Sequence, residues 1–162
     1  MNEKAESKIK KKHQNSYAEE FNESLAHNLV RLGHLMRQET QRCLRDLEVT
    51  PEQWQALVYL SGYQGEGGLT QNELAEITLK DKTTISRLVE NMLKLDLLVR
   101  TEGEDRRTYR LQLSEKGRSI VDKAWPLIGQ HFPQNVYTGL EKDEQAELLR
   151  LLQKLRRGMH DL

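Results

Sequence analysis

A short run of polar side chains between Asp81 and Leu95 has the chemistry needed to read double-stranded DNA. Recognition in the major groove requires a helix whose leading end carries short hydroxyl, amide or guanidinium groups. The run supplies this set with Lys82, Thr83, Thr84, Ser86 and Arg87. The arginine could pair with guanine, and the hydroxyls could reach phosphates or base edges. Taken alone, the same pattern would also fit an ordinary solvated helix face.

A second polar cluster lies on the loop between two strand-like segments, residues 97–100 and 108–113. Arg106 and Arg107 at its tip could enter a minor groove, because narrow A·T-rich segments attract arginine. Asp105 is a poor group for touching DNA, but it could hold a neighbouring guanidinium in a fixed orientation. A salt-bridged hairpin tip is the plainer alternative. We call this predicted hairpin the wing. A polar helix followed by a wing indicates DNA binding more specifically than either feature does alone.

Capping signals predict the helices that must position these groups. Thr50 and Gln53 form a capping box that begins one helix, and Thr70 and Glu73 form a second box that begins the next. Asp81 can cap the helix that carries the polar run. The helices that begin after Thr70 and after Asp81 are predicted to face inward with Leu74, Ala75, Ile77, Ile85, Leu88, Val89, Met92 and Leu95.

Leucine-rich helices are predicted on both sides of this segment. Between Tyr17 and Leu47 the apolar residues recur at steps of three, four or seven, which predicts one long amphipathic helix without a proline. The last helix is predicted to begin near Glu141, and five leucines fall within the eight residues from Leu148 to Leu155. That is too apolar for the exposed face of a monomer, so both terminal regions are predicted to pack against a second copy.

The predicted fold is mainly α with a small β-hairpin wing (α+β), a winged helix-turn-helix with interlocking N- and C-terminal dimerisation helices. We expect a flexible basic tail over residues 1–15, a helical dimerisation region over residues 16–48 and 118–162, and a DNA-binding domain over residues 49–117. The tail carries four lysines between Lys8 and Lys12. It is either a solvated segment or a basic arm that touches DNA phosphates.

Charge is the main argument against DNA binding. The 162 residues carry 25 Lys and Arg against 25 Asp and Glu, for a formal net charge of zero, whereas nucleic-acid binders usually have a basic excess. A neutral total still allows a local basic patch. It also favours an alternative function, a winged-helix protein–protein interaction module that does not bind DNA.

Other classes of protein are excluded by what the sequence lacks. No apolar run approaches the roughly 18 residues that cross a bilayer, and the start has no apolar signal-peptide core, so no membrane association is expected. The single cysteine, Cys43, fits a reducing cytoplasm. The motifs of serine hydrolases, P-loop proteins, dinucleotide-binding proteins and zinc hydrolases are absent. We therefore expect neither catalysis nor a cofactor.

The segment as a whole resembles the MarR (multiple antibiotic resistance regulator) family of bacterial transcription factors, over about residues 20–158. The residues that carry the resemblance are Leu69, Thr70, Leu74, Ala75, Asp81, Thr84, Ile85, Ser86, Arg87, Leu93, Leu97, Leu98, Val99, Arg100, Asp105, Arg106, Arg107, Leu111, Gln112, Leu113, Ser114 and Gly117. The resemblance implies a homodimeric, ligand-responsive repressor of a pseudo-palindromic operator in double-stranded DNA. It implies that Arg107 enters the minor groove and that Asp105 orients it. Asp96 replaces the usual glycine, so a small local adjustment is expected.

Relatives in this family sense their signals in three ways, and only the first of these is expected here. Relatives bind small aromatic or anionic effectors where the first, second and fifth helices meet the winged domain. The candidate lining residues here are His34, Trp54, Tyr59 and Trp125, although such aromatic residues are more often core. Zinc-binding relatives use a close histidine pair, whereas His27 and His34 are seven apart, so no metal is expected. Peroxide-sensing relatives carry a cysteine near the start of the first helix, and Cys43 near its end is expected to be a buried structural thiol.

Overall fold

The computed structural model describes residues 17–63, 67–102 and 109–159. The helices are α1 (Leu25–Leu44), α2 (Pro51–Gly62), α3 (Gln71–Thr78), α4 (Lys82–Lys94), α5 (Glu115–His131) and α6 (Lys142–Gly158). The strands are β1 (Leu69–Thr70), β2 (Leu98–Glu102) and β3 (Tyr109–Leu113). The chain divides into two compact units, with the boundary between Arg42 and Cys43. The mainly helical fold with a small antiparallel sheet is the predicted fold class.

The first unit contains a break that the sequence pattern did not predict. Residues 17–23 are helical, Ser24 is a bend, and α1 begins at Leu25. The Ser24 hydroxyl donates to the Phe21 carbonyl at 2.7 Å and accepts from the His27 N–H at 3.2 Å. Serine competes for backbone groups in this way and so begins a new helix. The expectation of one uninterrupted helix is therefore wrong at Ser24.

In the second unit, the predicted caps are confirmed. The Gln53 N–H donates to the Thr50 hydroxyl at 3.2 Å, and the Thr50 N–H donates to the Gln53 side chain at 2.8 Å. Thr70 and Glu73 repeat the reciprocal pair at the start of α3. The bond from the Thr70 N–H lowers the pKa of the Glu73 carboxyl. Asp81 is the N-cap of α4. Local hydrogen bonds therefore set where each helix of the helix-turn-helix begins.

The core of the second unit forms between these helices, α5 and the sheet. Its most deeply buried side chains are Leu44, Leu57, Leu74, Ile85, Val89, Met92, Leu97, Leu98 and Leu111. Ile77 and Leu95, which were predicted to face inward, are 40% and 39% exposed. Thr78 is buried instead, and its hydroxyl donates to the Leu74 carbonyl at 2.6 Å. Leu74 and Thr78, four residues apart, share the inward face of the short helix α3, and Ile77 lies at its edge.

The sheet has three antiparallel strands in the order β1–β3–β2. Strands β2 and β3 are the predicted hairpin, whereas β1 was not predicted. Leu69 of β1 is paired with Leu111 of β3. Gly68 makes this approach possible: its φ is +88°, and an added Cβ would lie 2.2 Å from the Leu111 carbonyl oxygen. The two residues of β1 are too few to show an alternating pattern, so Gly68 is the one sequence feature that could have indicated this strand.

The turn from α4 into β2 places an aspartate in a conformation that glycine usually adopts. Asp96 has a φ of +56°. Its N–H donates to the Leu93 carbonyl at 3.0 Å, and the Leu97 N–H donates to the Met92 carbonyl at 2.9 Å, which is the bonding of a helix C-cap. The Ser114 hydroxyl donates to the Asp96 carbonyl at 2.6 Å. Aspartate thus takes the left-handed conformation that glycine would adopt and keeps the C-cap bonds, so the expected local adjustment is not seen at this turn.

The last helix contrasts with this core. None of the residues of α6 is buried, and Leu148, Leu149, Leu151 and Leu155 are all exposed. Among the helices that the structure describes, none is both long and apolar enough to cross a membrane.

Gly117 offers a test of the packing that holds α5 against the sheet. A Cβ at this position would lie 2.1 Å from the Leu97 carbonyl oxygen. We expect Gly117→Ala to lower the free energy of unfolding by about 1–3 kcal/mol, because the backbone must move, as measured by urea denaturation. Gly129→Ala is the matched control, since an added Cβ there has open space; it should raise stability by about 0.5–1 kcal/mol. Equal stability of the two variants would contradict the close contact.

Candidate nucleic-acid interface

The side chains predicted to contact DNA lie together on the first two turns of α4. The exposed ones are Lys82, Thr83, Thr84 and Arg87, and Ser86 is half-buried. On the opposite side of the helix, Ile85 and Val89 are fully buried in the core. The helix therefore presents hydroxyl and cationic groups outward from a firmly packed base, as a groove-reading helix must.

A buried amide connects α4 to α2. Gln53 is 5% exposed, and its side-chain nitrogen donates to the Asn91 side-chain oxygen at 2.7 Å. Its side-chain oxygen meanwhile accepts from the Thr50 N–H. The sequence predicts only the capping role of Gln53, because spacing alone does not reveal a contact between residues 38 apart.

An acidic group lies within the polar face of α4. One oxygen of the Asp81 carboxylate accepts the Thr84 N–H at 2.9 Å, and the other accepts the Thr84 hydroxyl at 2.6 Å. These bonds, that of the hydroxyl first, lower the pKa of the Asp81 carboxyl. The helix N-terminus also favours a negative charge here. Asp81 is therefore ionised at neutral pH and fixes the orientation of Thr84.

The wing is described only at its base. The predicted tip residues Asp105, Arg106 and Arg107 lie outside the described residues, as does the basic tail. At the base, the Arg110 guanidinium donates to the Gly68 carbonyl at 2.8 Å and so braces β1. The Arg100 guanidinium pairs with the Glu90 carboxylate at 2.9 Å, between β2 and α4. Such an exposed pair adds little stability, but it joins the base of the wing to α4.

The residues predicted to bind an effector belong to different surfaces. Trp54 is buried, and its ring centroid lies 6.4 Å from that of Trp125, which is 62% exposed. Tyr59 lines a separate groove. His34 is exposed on the first unit. Within the second unit, the predicted aromatic residues thus mark two candidate surfaces.

The groove at Tyr59 has a volume of about 540 Å³ and lies between the end of α2, β1 and α3. Its lining consists of Val58, Tyr59, Gly62, Tyr63, Leu69, Glu73, Glu76 and Ile77. The lining is mostly apolar, with two phenol rings and two carboxylates. Glu73 is occupied by its capping bonds and lies near Arg110, so Glu76 is the more available charge. The charged side chains of the groove are both carboxylates, which disfavour an anion.

The described residues also bear on the metal and thiol chemistries considered above. Within the described residues, no group of three or more His, Cys, Asp or Glu side chains is placed to hold a metal ion. Cys43 is half-buried, so the expectation of a buried thiol was too strong. The residue lies in the last turn of α1, where one side of the helix remains partly open.

Known proteins resemble the segment that contains α2, α3 and α4. A sequence model of the MarR family matches residues 47–108. The multiple antibiotic resistance protein MarR of Escherichia coli (strain K12) is 26% identical over 140 residues, which cover 83% of this chain and 94% of that protein.

Two solved structures resemble the fold over most of their length. The transcriptional repressor CouR, bound to a 23-mer DNA duplex, superposes with a TM-score of 0.76 at 25% identity, covering 84% of this chain and 94% of CouR. The organohalide-sensing regulator RdhR in its 2,4-dichlorophenol-bound form gives a TM-score of 0.72 at 25% identity, covering 83% of this chain and 78% of RdhR.

Proposed function

We propose, from the premise that the chain belongs to the MarR family of DNA-binding transcriptional regulators, that it is a homodimeric, ligand-responsive repressor of a pseudo-palindromic operator. The observation that carries the proposal is the outward face of α4, where hydroxyl and cationic groups stand on a buried base. CouR, a repressor solved on DNA, supports the repressor role. The members of this family are regulators and not enzymes, and we place this one in the bacterial cytoplasm with its DNA.

Each copy of α4 would lie in a major groove, with half-sites about one helical turn apart. Arg87 is proposed to pair with guanine, and Lys82 to contact a phosphate. Arg106 and Arg107 are proposed to reach the minor groove, with Asp105 orienting a guanidinium. We retain residues 49–117 as the proposed DNA-binding domain and residues 16–48 with 118–162 as the proposed dimerisation region.

Fluorescence anisotropy with DNA from upstream of the chain's own gene tests the interface. Arg87→Ala and Arg107→Ala are each expected to weaken binding about 5- to 150-fold, the usual effect of removing an arginine from a base or a groove. Lys123→Ala removes an exposed charge from α5 and should leave affinity nearly unchanged. Affinity should also fall as salt rises. Absent or salt-insensitive binding by the pure dimer would favour the alternative, a protein–protein module.

The proposed dimer rests on the exposed leucines at the end of the chain. Burial of apolar surface contributes about 25 cal/mol per Å², so a helix with four exposed leucines and no buried residue needs a partner surface. Exposed apolar residues on α1, such as Val30 and Leu35, offer a second such surface on the first unit. Terminal helices of two copies that pack together would cover both surfaces.

Sedimentation equilibrium tests the dimer. Leu148→Asp places a charge in the leucine face of α6 and is expected to give a monomer at micromolar concentration, with DNA affinity reduced because two half-sites can no longer be held together. Arg157→Asp is the control and should remain dimeric, because Arg157 is exposed and, nine residues from Leu148, lies on the opposite side of α6. A Leu148→Asp variant that sediments as a dimer would rule out this face.

The proposed effector is a small aromatic molecule, as supported by the dichlorophenol bound to RdhR. We assign it to the groove of Tyr59, whose two carboxylates disfavour an anion. Binding there would shift the equilibrium between arrangements of the winged domains that differ in DNA affinity.

Phenol and benzoate are matched probes for this site, because one is neutral and the other an anion at pH 7. We expect phenol to weaken DNA binding more than benzoate does, and Tyr59→Ala to remove the response. Trp125→Ala should respond as the unmodified chain does. A response lost in Trp125→Ala and kept in Tyr59→Ala would move the site to the Trp54–Trp125 surface.

A further inference from the structure

We infer that Thr84 selects an amino base, cytosine or adenine, on the DNA strand it faces, because Asp81 leaves its hydroxyl able only to accept. The inference rests on the proposed function, since it concerns the helix face that is proposed to enter the major groove. It assigns to one residue a definite hydrogen-bonding polarity and therefore a definite class of base.

The polarity follows from which atoms carry protons. The Thr84 hydroxyl oxygen lies 2.6 Å from one carboxylate oxygen of Asp81, and the Thr84 N–H donates to the other oxygen at 2.9 Å. An ionised carboxylate can only accept, and both bonds keep Asp81 ionised. The single hydroxyl proton must therefore point at Asp81. The exposed oxygen of Thr84 presents only lone pairs to solvent.

This polarity removes most of the partners that DNA offers. Phosphate oxygens only accept hydrogen bonds, so Thr84 cannot bond to the backbone while Asp81 holds its proton. In the major groove, guanine N7 and O6 and thymine O4 are also acceptors. The donors that remain are the N4 amino group of cytosine and the N6 amino group of adenine. Each base pair carries one such group, so Thr84 distinguishes which strand presents it.

Neighbouring hydroxyls lack this constraint. Thr83 and Ser86 make no side-chain hydrogen bond within the part of the chain that the structure describes. Their hydroxyls can rotate and either donate or accept, so they suit phosphates as well as base edges. The negative charge of Asp81 also repels phosphate near Thr84 in particular. Of the three hydroxyls, Thr84 is thus the one committed to reading a base.

The experiment is selection from a pool of randomised duplexes by the full-length chain, followed by comparison of the enriched patterns. The unmodified chain is expected to enrich adenine or cytosine over guanine or thymine at one position of each half-site. Thr84→Val keeps the shape and removes the acceptor. It should flatten that preference by about 2- to 10-fold, the effect of one hydrogen bond, and leave the other positions unchanged. Thr83→Val is the control and should retain the preference.

Asp81→Asn tests the hydrogen-bonding polarity of the Thr84 hydroxyl, because it is expected to change which bases are preferred. A purely structural role of Asp81 would not produce such a change. Asparagine caps helices as well as aspartate does. With its oxygen on the Thr84 N–H, its amide nitrogen donates to the Thr84 hydroxyl and frees the hydroxyl proton. The hydroxyl can then donate to guanine or thymine and still accept through its remaining lone pair, so the preference for adenine or cytosine at that position should weaken and guanine or thymine should also be enriched.

The outcomes separate the inference from the proposed function. If the unmodified chain enriches no sequence, the proposed function fails and the inference fails with it. If it enriches a sequence but Thr84→Val and Asp81→Asn both enrich the same one, the inference alone is overturned. Thermal melts of each variant identify any loss of folding. If Thr84→Val does not fold, the shift in Asp81→Asn decides: its presence supports the inference and its absence overturns it.

Discussion

The buried amide of Gln53 is the constraint on which the rest of the interface depends. A buried amide costs free energy unless its groups are bonded, and here the oxygen caps α2 while the nitrogen bonds to Asn91 of α4. The bond to Asn91 and the burial of Ile85, Val89 and Met92 together hold α4 at one rotation about its axis. Because successive side chains on a helix are about 100° apart, that rotation decides which residues face outward. The polar face from Lys82 to Arg87 is therefore set from the core side.

Features that depend on neighbouring residues could be predicted from the sequence. The two capping boxes and the Asp81 cap involve groups three residues apart, so spacing alone reveals them. The strand β1 could not be predicted, since it exists only through its pairing with β3. The break at Ser24 was missed for a different reason. Serine inside an apolar period is usually solvated, and only the bonds it makes reveal a cap.

In the candidate site, too, some features could be predicted from the sequence and others could not. Residue types and order were enough to place the groups of α4 on one outward face. They were not enough to find the link from Gln53 to Asn91, or the hydroxyl bond from Thr84 to Asp81, because both depend on side-chain conformation. The aromatic residues were the hardest to assign. Tryptophan and tyrosine are more often core residues than pocket residues, and here Trp54 is buried in the core while Tyr59 lines a groove.

The neutral charge of the chain gives the Asp81 carboxylate its significance. A strongly basic protein gains much of its DNA affinity from phosphates, whatever the sequence. This chain has equal numbers of acidic and basic residues, and it places an ionised carboxylate at the leading end of α4, where it repels phosphate. In the proposed complex, that arrangement would reduce sequence-independent binding. In return, it gives a hydroxyl a single hydrogen-bonding polarity. Such a face favours discrimination between bases over affinity for DNA in general, which suits a regulator that must leave most of the genome unoccupied.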